Sequence, residues 1–305
     1  MFLIESSSTV LDYSSIAALS AVIETQGFQS AADKLFITQS AVSQRIKSLE
    51  NYYGEPVLIR SLPYQPTKLG LMLIGHYKRV TILEDSLQET ISLQNHVPTI
   101  SIAISRDSLE TWFVDVIKKL KILPFIQLEI IADDQELTLE YLQKGLVSAC
   151  ASTTEKQISG CECMFMGYFN YVFVSSPDFK KKYFSKNKSN EDNLINAPGV
   201  IFDNNDKLHN DYLKHYFNIN NSNIKYHTVP SVKGFRLFAE NGYACALIPE
   251  LDILSELAQK KLVKIFPDKP WKMPMYWHHW SIENIIHHKF NELVCRIGRK
   301  LLHQK

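Results

Sequence analysis

The stretch SAADKLFITQSAVSQRIKSLENYYG, residues 30–54, restricts the fold more than any other part of this chain. Two small residues, Ala31 and Ala32, precede a polar turn. After the turn Val42, Ile46, Leu49 and Tyr53 recur at i, i+4, i+7 and i+11, the spacing of one buried helical stripe. Gln39, Ser40, Ser43, Gln44 and Lys47 fall on the opposite face, with Arg45 on its flank. Alanines that let one helix cross another closely, set just ahead of a helix with a single apolar face, predict a helix-turn-helix. Upstream, SIAALSAVIETQG predicts a first helix ended by Gly27. Downstream, residues 57–59 with Pro63 and Pro66 predict a small hairpin, or wing.

The exposed side chains of the third helix are those that read and hold a nucleic acid. Amides pair with adenine, a guanidinium with guanine or phosphate, and hydroxyls with either. Between Asp33 and Arg79 the chain carries seven lysines and arginines against three acidic residues, a local surplus hidden by the whole-chain net charge of +1. Gln39, Ser40, Ser43 and Arg45 are therefore expected to meet base edges, with Gln44 on the same face. Ser30, Lys47, Thr67 and wing groups such as Arg60 are expected to hold phosphates.

From Thr67 to about Asn95 a proline-free helical stretch repeats Val80, Leu83, Leu87 and Ile91, an apolar seam suited to pairing with a second copy. Pro98 ends it. Beyond Ile100 strand and helix patterns alternate: TISIAIS, SLETWFVDVIKKL with Leu109, Trp112, Phe113, Val116, Ile117 and Leu120 on one face, FIQLEII, LTLEYLQKG and LVSACAS. This rhythm predicts a largely parallel sheet. Extended runs at YFNYVFVSSPDF and KMPMYWHHW enclose further strands at GVIF, IKYHTV and YACALIP, so two α/β lobes joined by a double crossover are expected.

These residues also resemble a known family. SAADKLFITQSAVSQRIKSLENYYGEPVLIR followed by PTKLG is similar to the winged helix-turn-helix of LysR-type transcriptional regulators, and SVKGFRLFAENGYACALIPE to the second lobe of their effector domain. DSLETW, YVFVSSPDFKKKYF, FDNNDKLH and MYWH resemble the branch that responds to lysine and arginine. Val147 stands where many LysR relatives carry Asp, and that branch also lacks the Asp. Val232 and Lys233 depart from the branch, which tends to have Ser and Glu there, and set a cation near the expected cleft.

The resemblance implies an α/β protein with three parts: a winged helix-turn-helix over residues 1–70, a linker and dimerisation helix over 71–97, and a two-lobed, periplasmic-binding-protein-like effector domain over 98–305. Its first lobe would span about 98–169 and 274–305, and its second about 170–273. The implied partners are double-stranded operator DNA with dyad symmetry, a small effector, lysine or arginine, a second copy through the linker helix with a tetramer beyond it, and RNA polymerase.

The effector cleft is expected at the carboxyl ends of the strands. Ser105, Asp107 and Ser108 begin a helix whose free N–H groups suit a carboxylate, and Ser231 opens a helix across the cleft. Asp133, Asp134 and Asp203 follow strands and suit cationic groups. Two other readings stay open from the residues alone: a small-molecule binding or transport module, and an enzyme on the α/β lobes. Against them, the chain shows no nucleophile elbow, zinc-protease or phosphate-loop motif, and its opening residues lack a secretion signal's pattern. Cys161, Cys163 and the pairs His278/His279 and His287/His288 lack paired zinc spacing, so neither metal nor cofactor is expected. With five scattered cysteines and no apolar run of spanning length, a cytoplasmic regulator away from the membrane, not an enzyme, is the expectation.

Overall fold

The computed structural model describes residues 11–90, 97–184, 187–203, 206–219 and 224–304. Three helices, α1 (Tyr13–Thr25), α2 (Phe28–Leu35) and α3 (Gln39–Tyr53), enclose a core of Ile16, Leu19, Val22, Ala31, Ala32, Val42, Ile46 and Leu49. Both alanines are wholly buried, as a close crossing of α2 and α3 requires. Asp12 caps α1 by accepting from the Ser14 and Ser15 amides. The expected stop at Gly27 falls one residue earlier. Gln26 takes the left-handed conformation (φ 54°), and Gly27 instead stands extended as the first flank of α2. Gly54 ends α3 at φ 72°, where a side chain would be strained.

The wing is a short antiparallel pair, β1 (Leu58–Ile59) with β2 (Gln65–Pro66). Thr67 ties it to the next helix, α4 (Lys68–Thr90), donating its hydroxyl to the Pro56 carbonyl (2.8 Å) and accepting from the Gly70 amide (3.1 Å). The expected extension to Asn95, including Ile91, lies outside the described residues, as do the first ten. Leu83 and Leu87 stand 53% and 60% exposed, four residues apart on one face. Ile82, one step round, is buried against Ala103, Leu142, Val147 and Trp280, so α4 also packs on the α/β region of its own chain.

That region is built on a seven-stranded sheet. β3 (Thr99–Ser105) lies parallel to β4 (Gln127–Asp133) and β5 (Ala149–Ser152), with α7 (Thr138–Gln143) between the last two. After β3 the chain forms α5 (Arg106–Glu110) and α6 (Trp112–Lys119), not the single helix expected over 108–120. The backbone breaks at Thr111 (φ −113°, ψ −102°), whose hydroxyl donates to the Asp107 carbonyl (2.6 Å). Trp112, Phe113 and Val116 are buried, but Ile117, expected beside them, is 44% exposed because the new helix starts in a different phase.

β6 (Cys161–Ser175) leaves the first lobe for the second, and β11 (Trp271–Trp280) returns, pairing with it antiparallel from Trp280 opposite Cys161 to Trp271 opposite Tyr171. Between them come α8 (Pro177–Tyr183), α9 (Asn190–Asn196), β7 (Gly199–Ile201), α10 (Lys207–Phe217), β8 (Tyr226–Thr228), α11 (Val232–Glu240), β9 (Ala246–Pro249), α12 (Leu254–Ala258) and β10 (Val263–Lys264). The chain closes with α13 (Ile285–Leu301). The sheet runs β10, β6, β11, β5, β3, β4, with β9 also on β6. It is mixed, where a largely parallel one was expected: two strands that carry the chain out and back must run in opposite directions, so β11 is antiparallel to both β5 and β6. Trp277 is wholly buried at this crossover and donates to the Asn291 side chain of α13 (2.9 Å). No described helix is long and apolar enough to cross a membrane.

Candidate functional site

Two places on this frame gather polar residues that packing does not need. The first is the outer face of α3. Its N-terminus is held by Thr38, which accepts from the Ala41 amide (3.2 Å), so the residues that follow are presented from a fixed helix end. Gln39, Ser40, Ser43, Gln44 and Lys47 are exposed and Arg45 half-buried, while Val42, Ile46 and Leu49 face inward. Ser30 is exposed on the first turn of α2.

Two expected phosphate holders are already engaged. Arg60 Nη2 lies 2.9 Å from Glu50 Oε2, and the Thr67 hydroxyl is spent on the wing joint described above. Sequence reasoning passed over Phe36. It is 96% exposed in the turn, at φ 55°, beside the start of α3.

The second place is a cavity of about 380 Å³ between the lobes. One wall comes from the ends of β3 and β4: Ser105, Arg106, Asp107, Asp133, Asp134, Gln135 and Leu137. The facing wall comes from the second lobe, with Phe202, Asp203, Asp206, His209, Val232 and Phe235 among its residues, and Tyr171 of β6 joins from the crossover. Five of the seven expected residues line it: Ser105, Asp107, Asp133, Asp134 and Asp203. Ser108 and Ser231 are not among the lining residues. Ser108 is wholly buried beneath because α5 turns it inward, its hydroxyl without a partner among the described residues. Ser231 is exposed and caps α11 by accepting from the Gly234 amide (3.1 Å), leaving Val232 and Phe235 to face the cavity. Lys233, the cation expected near the cleft, is exposed and not on its wall.

The chemistry of the wall is one-sided. Five of its lining residues are aspartates, against the one arginine, Arg106, among the described lining residues. Ser105 accepts from the Ser108 amide (3.2 Å), so it caps α5 and leaves fewer free donors for a carboxylate than a bare helix end would have. Asp133 is oriented by the Tyr141 hydroxyl (2.6 Å) and the Asp134 amide (2.8 Å). Asp206 accepts from the Phe202 amide (2.9 Å) and caps α10 through the Leu208 amide (3.1 Å), while burial raises it above the usual carboxylate range.

Asp107 is the most perturbed of the acids. Burial pushes it up to about 6, against the Tyr171 hydroxyl that donates to it at 2.6 Å, and Asp206, Glu110 and Asp252 add like charge. Its side chain keeps some contact with the cavity, yet protein crowds the carboxyl as it would an interior group. His209, buried between Phe173 and Tyr226, is driven down to about 4 and is neutral near pH 7.

Arg106, Tyr171, Asp206 and His209 were absent from the expected set. Only Asp206 left a readable signal, as a helix cap in FDNNDKLH. Elsewhere, the Cys163 sulfur lies 3.6 Å from His278 Nε2, which also meets the Thr154 carbonyl at 2.8 Å. Among the described residues no group of three or more His, Cys, Asp or Glu is arranged to hold a metal ion.

Comparison with known proteins follows the same division. The family described as "Bacterial regulatory helix-turn-helix protein, lysR family" matches residues 13–71. The HTH-type transcriptional regulator ArgP of Photobacterium profundum is 40% identical over 296 residues, covering 96% of this chain and 99% of that protein. Among solved structures, ArgP from Mycobacterium tuberculosis matches with a TM-score of 0.84 at 27% identity, over 97% of this chain and 100% of that one. Full-length LysG from Corynebacterium glutamicum, solved with bound effector Arg, matches with a TM-score of 0.76 at 24% identity, over 96% of this chain and 100% of that one.

Proposed function

Because the chain belongs to the LysR family of DNA-binding transcriptional regulators and is similar to its ArgP members, we propose that its interlobe cavity receives a basic amino acid, lysine or arginine, whose binding changes how the protein sits on DNA. The observation that carries this reading is the excess of carboxylates in the cavity. Asp107, Asp133, Asp134, Asp203 and Asp206 face a space sized for one small molecule, and a cation there replaces repulsion among acids with attraction. LysG, a protein of the same fold, has Arg as its bound effector, which agrees in chemistry.

At the other end, the α3 face enters the major groove, with Gln39, Ser40, Ser43, Gln44 and Arg45 toward base edges and Ser30, Lys47 and wing residues toward phosphates. Half-sites of a dyad need two such helices at fixed separation. We assign the pairing of two copies to the exposed Leu83 and Leu87 face of α4, with a tetramer built from two dimers. Residues 1–70, 71–97 and 98–305 act as reader, connector and sensor. The protein works in the cytoplasm beside RNA polymerase and catalyses no reaction.

Calorimetry on the full chain with lysine, arginine and glutamate, paired with mobility shifts on a target operator, tests the proposal. Saturable heat with lysine or arginine but not glutamate, and a change in operator binding, are expected. Heat with glutamate alone would reject a basic ligand and leave the regulator assignment standing.

A further inference from the structure

We infer that Arg106 is the carboxylate receptor of the cavity and so the residue by which it tells an amino acid from the corresponding decarboxylated amine. This rests on the cationic-ligand reading above and adds a second requirement to it. A basic amino acid carries one anionic group as well as its cations. In a cavity walled by five aspartates that carboxylate needs a positive partner, or it is repelled.

The end of α5 does not supply one. Ser105 already caps the Ser108 amide, and the first turn contains Asp107, whose own charge opposes a second carboxylate. His209 is neutral. Arg106 is the remaining cation among the described lining residues.

Its geometry suits the role. The guanidinium carbon lies 5.1 Å from the centre of the Phe202 ring, a cation–π contact reaching from the first lobe to the second. Its Nη2 atom is 3.9 Å from Asp133 Oδ1, an ion pair too long for a hydrogen bond. Among the described residues the guanidinium is thus placed by a ring face and an ionic field while its N–H donors remain unspent, which leaves a planar fork for a bidentate carboxylate. The side chain is 48% exposed, so it can adjust as a ligand enters. A carboxylate seated there would join Arg106 to a ligand whose cations rest on the aspartates, and would hold the two lobes through the same molecule.

Titration calorimetry on the full chain with L-lysine and with cadaverine, its decarboxylated counterpart, tests this for wild type, Arg106→Gln and Arg106→Lys. Wild type should prefer lysine. In Arg106→Gln, lysine should bind about 10- to 100-fold more weakly, the range of a lost charge-assisted hydrogen-bond pair, while cadaverine binds as well or better because a repelling charge has gone. Arg106→Lys, with charge but no fork, should recover part of the lysine affinity. Opposite signs for the two ligands are an outcome that misfolding or loose packing does not produce. If Arg106→Gln changes both affinities alike, or strengthens lysine, the assignment of Arg106 is wrong while the acidic cavity stands. If wild type binds neither lysine, arginine nor cadaverine, the cationic-ligand reading fails first and takes this inference with it.

Discussion

Replacing Asp107 by Asn should make the ligand-free protein more stable and a poorer sensor at the same time. In the folded chain the carboxyl is pushed from its ordinary 3.8 up to about 6, chiefly by burial. A folded-state value above the unfolded one means that the proton is bound more tightly in the fold. The stability it confers is full below about pH 4 and is lost as the pH rises through about 6. At about 1.4 kcal/mol for each tenfold change, a shift of that size sets a ceiling of about 3 kcal/mol on the cost of the ionised form. Water in the open cavity screens part of it, so about 1–3 kcal/mol is the expected gain in Asp107→Asn near pH 8. Asn keeps an oxygen for the Tyr171 hydroxyl and nearly the same shape, so the comparison isolates the charge. Urea denaturation at about pH 8 and about pH 4.5 measures it, and the gain should shrink toward the lower pH as the native carboxyl takes up its proton. A bound cation favours the carboxylate, so affinity for lysine in the native chain should fall as the pH drops through about 6, and that dependence should weaken in the Asn variant, where the raised Asp206 remains. An Asn variant no more stable at about pH 8, or equally stabilised at both, would show that the cavity does not hold Asp107 against its charge.

The remaining expectations concern the other two functions of the chain. Gln39→Ala or Arg45→Ala should each cost about 1–3 kcal/mol of operator affinity and relax the preference at one position, whereas Lys47→Ala should weaken all DNA about equally; mobility shifts at fixed salt separate the two patterns. Leu83→Asp combined with Leu87→Asp should dissociate the α4 pairing, and an assembly unchanged by light scattering would mean that this face packs elsewhere. Gly145→Val should uncouple sensing from DNA binding, since Gly145 sits at φ 71° and a Cβ added there would come within 2.4 Å of the Gly75 Cα of α4; lysine should still bind by calorimetry but no longer alter the mobility shift.

What the sequence made legible were features with a local period or a local cap. The buried stripe Val42, Ile46 and Leu49, the paired alanines and the alternating strands each declare themselves within one or two turns of chain, and the structure places them as expected. The cavity was legible only where a residue's position at the end of a strand sufficed, as for Asp133 and Asp203. Ser108 failed because its facing depends on the phase of α5, set by the break at Thr111 and not by any pattern in DSLETW. Tyr171 failed for a different reason: its partner Asp107 is 64 residues away, and only the passage of β6 from the first lobe to the second brings them to 2.6 Å. Arg106 read as an ordinary charged residue of a first turn, since its meaning comes from Phe202 and Asp133, one in each lobe.

The link from cavity to DNA is a matter of which parts can move separately. Residues 134–137 form cavity wall or its rim and run directly into α7, which is anchored to β5 by the Thr138 hydroxyl on the Ala151 carbonyl (2.7 Å). At the far end of α7, Gly145 meets Gly75 of α4, and Leu146 accepts from Lys78 Nζ at 2.7 Å. Arg79 stacks on Trp280 at 5.2 Å beside them, and burial holds the Lys78 ammonium below its usual range, so this joint is a desolvated one. The lobes, by contrast, meet across the cavity mouth through exposed groups: Lys207 with Glu136 at 3.2 Å and the half-exposed Arg106 on Phe202. Exposed pairs of this kind contribute about 0–1 kcal/mol, too little to fix the lobes by themselves. The desolvated joint therefore ties the first lobe to α4, while the lobes share one core along β6 and β11 and only the walls of the cavity mouth are left for a ligand to draw together. A ligand moves such an equilibrium only by the difference in its affinity for the two arrangements, and it would gain that difference by touching both lobes at once, as a molecule spanning from Asp107 and Asp133 to Asp203 and Asp206 would.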